Sequence, residues 1–455
     1  MSKKIIVIGG GPGGYAAAIR AAQLGAEVAL VEASHIGGTC LNEGCIPTKA
    51  LLHTGEFYRL ASRNSVAGVN IIGVELDWQR TLEHKNTIVS HLSKGVSALL
   101  KHNGVTVFHD QAVPLSGHKV KIGNDINDAD AVILAPGSIS TRLSFPGSVL
   151  PGVIDGAEAL SLDKVPESIV IVGGGVIGVE LASLYRSFGA KVTIIEALHE
   201  ILPSFDSEIA EIMRSVLTLE GTDVFVNFAL TSVTQSDGGM LSVQFQKEGT
   251  EQAVVAEKVL IAVGRTPNTS CLEGTGVAMT NGAVVVNDYF ETSIPNLYAV
   301  GDCNGKIMLA HAAMAQGVAA AERIMGATPH YNAKVIPSCV YTSPEIACCG
   351  MTEQQVIESG VEHDIGRFSL AGNGKSMIDG DGGLIKIIAD RRYGELLGVH
   401  MVGPRVTEMI AEAALCMSME GTVEDIANTV HAHPTVSEAV WEAALSVFGN
   451  PIHGI

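Results

Sequence analysis

The 455-residue sequence is poor in positive charge: 29 Lys and Arg stand against 48 Asp and Glu, so the formal net charge at pH 7 is −19. This deficit argues against nucleic acid and against an anionic membrane surface as the main partner. No apolar run is long enough to cross a membrane, and the one after Lys4 is too short for a secretory leader. We therefore expect a cytoplasmic protein.

The eight cysteines provide no second spaced pair to match Cys40 and Cys45. Structural zinc sites usually need two such pairs, so we expect no metal. The adjacent Cys348 and Cys349 are expected to be buried strand residues without a redox role. In a reducing compartment a disulfide is more often catalytic than structural. Residues 37–49, GGTCLNEGCIPTK, therefore hold either a redox-active pair or two small buried side chains.

The length predicts about three domains, each large enough to bury its own core. Hydrophobic residues make up 47% of the chain, and glycine occurs 51 times. Because the apolar content is high throughout, this surplus of glycine fits many tight strand-to-helix turns better than it fits disorder.

An internal repeat is the strongest sign of organisation. The copies span residues 5–32 and 169–196. Each reads as a buried strand, a glycine-rich turn (GGGPGG or GGGVIG), a helix and a second parallel strand. In both copies an acidic residue lies 23 positions after the first glycine. Two such units with matching spacing are a far more specific signal than one glycine motif alone.

The chemistry of this turn is that of a dinucleotide site. The first glycine permits the tight turn, the second lets a pyrophosphate approach the backbone, and the third lets the helix pack against its strand. The helix N-terminus offers N–H groups to the anion, and the acidic residue can accept hydrogen bonds from ribose. The predicted residues are Gly9, Gly11, Gly14 and Glu32 in the first copy and Gly173, Gly175, Gly178 and Glu196 in the second.

Three later segments read as a strand followed by a turn; they occupy residues 130–138, 258–268 and 295–302. A helix is predicted at about 309–324. From about residue 333 strand-like runs alternate with helices, without a glycine-rich phosphate turn. We expect this last part to be a separate α+β domain.

These features together resemble the flavoprotein disulfide reductases, and among them the dihydrolipoamide dehydrogenases. The resemblance runs essentially end to end. It includes both glycine turns, the cysteine segment, APG at 135–137, Gly301-Asp302 and HAHPTVSE at 431–438. Pro136, where relatives usually have Thr, and Glu43, between the cysteines, depart from the family pattern.

The resemblance implies an α/β fold with two Rossmann-like dinucleotide-binding domains, for FAD and NAD, and a C-terminal α+β dimerisation domain. The implied boundaries are 1–145 for the first part of the FAD domain, 146–265 for the NAD domain, 266–333 for the second FAD part and 334–455 for the dimerisation domain.

For the flavin, the resemblance implies FAD at the first turn, with Lys49 beside the reactive ring nitrogen and Asp302 on the ribityl chain. The helix opening at Leu309 and Ala310 would direct its positive end at the flavin pyrimidine. Taken alone, Asp302 is equally well explained as a helix N-cap. Further implied cofactor contacts are Thr39, Ala112, Ala135, Gly137 and Gly264.

The second turn is expected to hold the nicotinamide cofactor. Glu196 favours NAD because a carboxylate repels the 2′-phosphate of NADP, and residues 196–200 supply no arginine. Glu180 matches the family residue that pairs with Lys49. On its own it reads equally as a solvated helical carboxylate, although its neighbours are apolar.

The resemblance gives the two cysteines different roles: Cys45 exchanges electrons with the flavin, and Cys40 forms the mixed disulfide with substrate. His433 is the candidate base, because imidazole titrates near neutrality, and Glu438 would orient its ring. In the family this histidine acts on the other subunit, so a homodimer is expected. Standing alone, a histidine before proline is more often structural, and we assign only that role to His431.

The predicted activity is oxidation of protein-bound dihydrolipoamide through the disulfide and FAD to NAD. The partner would be a lipoyl-bearing protein of a 2-oxoacid dehydrogenase, acetoin dehydrogenase or glycine cleavage complex. One alternative is a sister NADH-dependent disulfide or metal-ion reductase, although no cysteine pair stands near residue 455 as in mercuric reductases. Another is a non-catalytic docking subunit, which the intact Cys40, Cys45, Lys49, His433 and Glu438 argue against.

Overall fold

The computed structural model describes residues 2–62, 65–66, 68–116, 118–380 and 382–454. In these segments no helix combines the length and apolarity needed to cross a bilayer. The first part of the chain forms β1 (Lys4–Ile8), α1 (Pro12–Gln23), β2 (Glu27–Val31), α2 (Gly38–Asn42), α3 (Cys45–Ser62), β3 (Ser65–Val66), β4 (Val69–Asn70), α4 (Trp78–His102), β5 (Thr106–Phe108), β6 (Ala112–Leu115), β7 (Lys119–Ile122), β8 (Asp125–Asp128), β9 (Ala131–Leu134) and β10 (Ser138–Ser140).

The second part contains the other copy of the repeat. Its elements are β11 (Val153–Ile154), α5 (Gly156–Ala159), β12 (Ser168–Val172), α6 (Val176–Ser187), β13 (Lys191–Glu196), α7 (Ser207–Leu219), β14 (Asp223–Val226), β15 (Ala229–Gln235), β16 (Leu241–Lys247), β17 (Thr250–Ala256), β18 (Lys258–Ile261) and β19 (Arg265–Pro267).

The remainder returns to the first sheet and then builds the C-terminal domain. Its elements are β20 (Met279–Thr280), β21 (Ala283–Val284), β22 (Leu297–Ala299), α8 (Ala310–Met325), β23 (Ser338–Val340), β24 (Glu345–Gly350), α9 (Glu353–Ser359), β25 (His363–Ser369), α10 (Gly374–Asp379), β26 (Leu384–Asp390), β27 (Leu396–Gly403), α11 (Val406–Ser418), α12 (Val423–Ala427) and α13 (Glu438–Val447). Within the described residues there are also three short 3-10 helices, at Ser270–Leu272, Gly301–Asn304 and Leu370–Gly372.

The two repeats fold as matching five-stranded parallel sheets, with strand orders β22-β9-β1-β2-β5 and β11-β18-β12-β13-β14. Strands buried on both faces need continuous apolar runs, and β1 and β12 have them. The repeat extends further than the motif. In each unit a three-stranded antiparallel meander, β6–β8 or β15–β17, is inserted before the strand that pairs with the first one.

Several contacts attach the first unit to later parts of the chain. Helix α8 packs on α1 so closely that a Cβ at Gly317 would lie 2.2 Å from the carbonyl oxygen of Gly13. Strands β10 and β19, which follow β9 and β18 in the chain, pair antiparallel with each other. The segments that leave β9 and β18 are therefore joined directly.

The C-terminal domain is a five-stranded antiparallel sheet of order β23-β24-β27-β26-β25. Helix α13 packs on β25, where a Cβ at Gly366 would lie 2.0 Å from the Ala443 carbonyl oxygen. Cys349 is buried in β24 and Cys348 half-buried beside it, as expected for strand residues.

A buried ionic cluster fastens this domain to the second repeat. Lys386, on β26 and 1% exposed, lies 2.8 Å from Asp206, 3.0 Å from Glu208 and 2.7 Å from Glu353. Asp206 precedes α7, and Glu353 begins α9. One ammonium group therefore compensates three carboxylates from two domains, assisted by Arg367 on the other side of Glu208.

Replacing Lys386 by Met should destabilise the protein strongly, because the Asp206 carboxylate, whose side chain is 1% exposed, would stay desolvated without its cation. Removing one partner of a buried ion pair typically costs about 3–5 kcal/mol of unfolding free energy. Denaturant unfolding measures the loss, with Lys164→Met as the control, since the Lys164 side chain is 66% exposed where it pairs with Glu257 at 2.8 Å. Equal effects of the two changes would contradict the importance of burial.

Candidate active site

In the first glycine turn, close packing requires two of the glycines, and the third faces open space. Gly9 has φ +102°, and a Cβ there would lie 2.1 Å from the Ala135 carbonyl oxygen. A Cβ at Gly14 would lie 1.8 Å from the oxygen of Gly9. At Gly11 the nearest atom would be 3.9 Å away, so the space above the start of α1 is free for a ligand. This cradle fits a pyrophosphate.

The second turn repeats this pattern. A Cβ at Gly173 would lie 2.4 Å from the Ala262 oxygen, and one at Gly178 would lie 1.9 Å from the oxygen of Gly173. At Gly175 nothing lies within 4 Å. Neither α1 nor α6 has a side-chain cap at its N-terminus, so both leave backbone N–H groups for an anion.

The two acidic residues have a structural role that the sequence reasoning missed. Glu32 accepts hydrogen bonds from the backbone N–H groups of Gly10 at 2.6 Å and Ser34 at 2.7 Å. Glu196 accepts equivalent bonds from Gly174 and Leu198 at 2.6 and 2.7 Å. Each buried carboxylate therefore fixes its own turn. Their contact with ribose stays a prediction.

The cysteine segment lies directly on the first turn. Gly38 opens α2 against Gly11, where a Cβ would lie only 2.7 Å from the Gly11 Cα. Cys40 lies in α2, and Cys45 is the first residue of the 18-residue α3. Both are free thiols in this structure. The ring system of a dinucleotide bound at Gly11 would therefore lie close to the two sulfurs.

The electrostatics separate the two thiols. The hydrogen bond from Cys40 is the largest influence on Cys45; with the charge of Lys49 it outweighs burial and lowers the pKa of Cys45 to about 7. The same hydrogen bond, with burial, raises the pKa of Cys40. In the reduced pair Cys45 therefore ionises at lower pH than Cys40.

This asymmetry predicts that iodoacetamide labelling of Cys45 in the reduced protein rises with pH around a midpoint near 7. The midpoint should increase in a Cys40→Ala variant, which lacks the stabilising hydrogen bond. Mass spectrometry of labelled peptides measures it, with Cys271 as internal control, since burial raises the pKa of that thiol. Labelling of Cys45 only at the higher pH that Cys271 requires would contradict the assignment.

Lys49 and Glu180 form the predicted pair. The Lys49 Nζ lies 2.9 and 2.8 Å from the two Glu180 oxygens, and Glu180 is 3% exposed. The alternative of a solvated helical carboxylate is therefore wrong. A third residue, which the sequence did not indicate, completes this group: the Tyr341 N–H donates to Glu180 Oε1 at 2.9 Å.

Asp302 does not cap a helix. It lies inside the 3-10 helix Gly301–Asn304, whose N-cap is Val300, and α8 has Leu309 as its N-cap. Its Oδ2 instead accepts a hydrogen bond from Ser138 Oγ at 2.5 Å, and Arg265 Nε donates to that same hydroxyl at 2.7 Å. Nothing in the sequence indicated Ser138 and Arg265 beyond their places after β9 and β18.

Several predicted cofactor residues surround these groups. Helix α8 begins at Ala310 rather than at Leu309, without a side-chain cap, so its N–H groups remain available. Gly264 has φ +107° and open space around it, as does Gly137 with φ +73°. Thr39 lies in α2, Ala112 begins β6 and Ala135 comes directly after β9. Their cofactor contacts stay predictions.

His433 and Glu438 form the predicted pair on the C-terminal domain. His433 Nδ1 lies 2.8 Å from Glu438 Oε1, and the Thr435 N–H donates to Glu438 Oε2 at 2.8 Å. Although burial opposes ionisation, these hydrogen bonds lower the pKa of Glu438. The His433 side chain is 80% exposed and, in the described part of this chain, is not bonded to the cysteine segment. His431 is instead buried against Glu412 at 2.9 Å.

The described residues contain no cluster of His, Cys, Asp and Glu suited to a metal ion. The site consists of two dinucleotide cradles, a thiol pair on the first of them, a Lys–Glu pair beside the thiols and an exposed His–Glu pair. Such a set can exchange disulfides and transfer electrons between a thiol and a dinucleotide cofactor.

Comparisons with known proteins agree with this geometry. The family described as "Pyridine nucleotide-disulphide oxidoreductase" matches residues 3–317, and its dimerisation domain matches residues 336–444. A Bacillus subtilis dihydrolipoyl dehydrogenase is 40% identical over 99% of this chain and 98% of its own. The Pseudomonas aeruginosa dihydrolipoyl dehydrogenase is 38% identical over 100% and 99%.

Among solved structures, the HOCl-induced flavoprotein disulfide reductase RclA from Escherichia coli superposes with a TM-score of 0.86 at 28% identity. The match covers 97% of this chain and 99% of that one. The predicted fold class, an α/β protein with two nucleotide-binding units and a C-terminal dimerisation domain, is confirmed. The chain belongs to the pyridine nucleotide-disulphide oxidoreductase family.

Proposed function

We propose that the protein is a dihydrolipoamide dehydrogenase, which oxidises the dihydrolipoyl group of a carrier protein and reduces NAD⁺. The observation that carries the proposal is the position of Cys40 and Cys45 on the first glycine turn, with Gly38 against Gly11. The curated relatives of that name support it over nearly their whole length.

The disulfide exchange needs only the two cysteines of this chain and the substrate dithiol. A substrate thiolate attacks Cys40 of the oxidised pair, forming a mixed disulfide and releasing Cys45 as thiolate. The second substrate thiol then displaces Cys40, so the substrate leaves as a cyclic disulfide and both cysteines are reduced. The first glycine turn would hold FAD, which would supply an acceptor for the two electrons of the cysteine pair, and the second turn would hold NAD⁺ as the final hydride acceptor.

The protons of the substrate dithiol need a base, and His433 is the proposed one. Neutral imidazole accepts a thiol proton, and the Glu438 carboxylate on Nδ1 orients the ring and stabilises the imidazolium. Because His433 is exposed and lies on the part matched by the dimerisation domain, we propose that it serves the cysteines of the second subunit of a homodimer.

The proposed cofactor choice is NAD, and Glu196 is the reason. NADH should reduce the enzyme-bound flavin at least about tenfold faster than NADPH, since a buried carboxylate repels the 2′-phosphate. A Glu196→Gln variant, which keeps a carbonyl acceptor for Gly174, should lose part of this selectivity. Anaerobic stopped-flow absorbance measures both rates.

The matched change Glu32→Gln in the first turn provides the control, since Glu32 makes the same backbone contacts. It should leave the preference for NADH unaltered. Equal rates with NADH and NADPH in the unmodified enzyme would overturn the assignment of Glu196.

A second candidate function is reduction of metal ions on the same scaffold, because RclA, the structural relative, is also known as a Cu(II) complex. The two functions differ in what the cysteine pair must meet. Dihydrolipoamide is itself the attacking dithiol, and its oxidation needs a base such as His433. Reduction of a metal ion would need only the two cysteine sulfurs. The paired His433 and Glu438 therefore favour the thiol substrate.

Steady-state assays with the holoenzyme separate these functions. We expect NAD⁺ reduction with free dihydrolipoamide to exceed turnover of oxidised glutathione or Cu(II) with NADH by orders of magnitude. A protein that turns over Cu(II) or glutathione faster than lipoamide would be a sister reductase. The same assay with lipoyl domains of 2-oxoacid, acetoin and glycine cleavage complexes identifies the proposed carrier.

A further inference from the structure

The Lys49–Glu180 pair is formed by three separate parts of the chain. Lys49 comes from α3 of the first unit, and Glu180 comes from α6 of the second. The third part is the segment directly after β23 in the C-terminal domain, and it contributes Tyr341. Sequence neighbourhood does not connect these residues, because Tyr341 is 161 positions from Glu180.

Tyr341 contacts both members of the pair. Its backbone N–H donates to Glu180 Oε1 at 2.9 Å, and its ring centroid lies 4.7 Å from the Lys49 Nζ. A cation at this distance from an aromatic face is attracted by the ring quadrupole. In the described chain the Tyr341 hydroxyl forms no hydrogen bond, so the ring face is the part of the side chain that acts.

The ammonium group would otherwise have room to move. A cavity of about 160 Å³ adjoins the pair and is lined by Lys49 and Tyr341 among other residues. Lys49 remains 30% exposed, and a lysine side chain has four rotatable bonds. The Glu180 carboxylate holds the ammonium from one side, and the tyrosine ring closes another.

The position of Lys49 has consequences for the thiols. Its positive charge contributes to the low pKa of Cys45, and the charge of Glu180 opposes this effect. A shift of the ammonium would therefore change the thiolate at Cys45 as well as the charge beside the first cradle.

We propose that Tyr341 is a positioning residue for the redox site: its N–H orients Glu180, and its ring confines the ammonium group of Lys49. The C-terminal domain would then shape the redox centre of its own subunit, in addition to supplying His433. This inference rests on the proposed role of Lys49 beside the flavin.

The test compares variants of the holoenzyme that differ in the ring. Tyr341→Phe, which keeps the aromatic face, should reduce flavin with NADH within about twofold of the unmodified rate. Tyr341→Leu should be slower by about fivefold, the order expected from losing one cation–π contact. In Tyr341→Leu the pH midpoint for labelling Cys45 should also rise. Tyr393→Leu is the matched control, since Arg392 lies 4.9 Å from that exposed ring.

A fluorination series keeps the shape of the side chain and so remains informative if Tyr341→Leu does not fold. Phenylalanine with increasing fluorine substitution at position 341 weakens the ring quadrupole stepwise. We expect the flavin reduction rate to fall, and the Cys45 midpoint to rise, with each added fluorine. Unchanged values across the series would overturn the proposal.

A Lys49→Met variant separates the two levels of inference. If Lys49→Met reduces flavin as fast as the unmodified enzyme, the proposed role of Lys49 is wrong. If Lys49→Met is slow while Tyr341→Leu and the fluorinated variants are not, the role of Lys49 stands and the positioning role of Tyr341 fails.

Discussion

Replacing Cys45 by Ser is expected to reduce dihydrolipoamide oxidation by about 10³-fold or more, as for loss of an essential nucleophile. Without its sulfur the pair cannot form the disulfide that the substrate attacks, and serine offers no comparable redox chemistry. Flavin should stay bound, because Gly9, Gly11 and Gly14 are untouched. Steady-state NAD⁺ reduction and the flavin spectrum of the purified variant measure the two effects.

The control for this change is Cys271→Ser, a half-buried cysteine in a 3-10 helix with no predicted redox role. It should retain nearly full activity. If Cys45→Ser turned over lipoamide at the normal rate, the electrons would have to take another route, and the assignment of the pair would be wrong.

A His433→Gln change should slow the dithiol half-reaction by about 10²–10⁴-fold, the range typical of a lost general base. Reduction of the flavin by NADH needs no thiol deprotonation at this position and should change less than about twofold. Glutamine keeps a polar group near Glu438 but cannot take up a proton at neutral pH. Anaerobic rapid mixing with dihydrolipoamide and with NADH, in separate experiments, measures the two half-reactions.

His431→Gln is the matched control, because His431 also contacts a carboxylate, Glu412 at 2.9 Å. The His431 side chain is 6% exposed and we assign it a structural role, so its loss should affect stability more than the dithiol half-reaction. Similar slowing of both half-reactions in His433→Gln would indicate a general disturbance of the site instead of a missing base.

The parts of the fold that the sequence predicted are those with a local physical cause. A buried strand, a glycine turn and a helix succeed one another within about 30 residues, so the motif fixes its own geometry. The meanders β6–β8 and β15–β17 were not predicted. Their strands are partly exposed, and they owe their position to the parallel sheet they are inserted into.

The residues of the candidate site also fall into a group within local motifs and a group that only tertiary packing brings together. Cys40, Cys45 and the His433–Glu438 pair lie within short motifs, and the resemblance of these motifs to the family indicates their roles. Tyr341, Ser138 and Arg265 could not be found in this way, because their partners are 161, 164 and 127 residues distant. Only the packing of the three domains brings these groups together.

The state of the two sulfurs during turnover provides the most direct measurement. One equivalent of dihydrolipoamide per subunit is added anaerobically to oxidised holoenzyme without NAD⁺, and the thiols are trapped by alkylation and identified by mass spectrometry. We predict that label appears at Cys40 and Cys45 as lipoamide disulfide forms, while Cys348 and Cys349 stay unchanged. Formation of lipoamide disulfide without new thiols at Cys40 and Cys45 would contradict a disulfide-mediated mechanism.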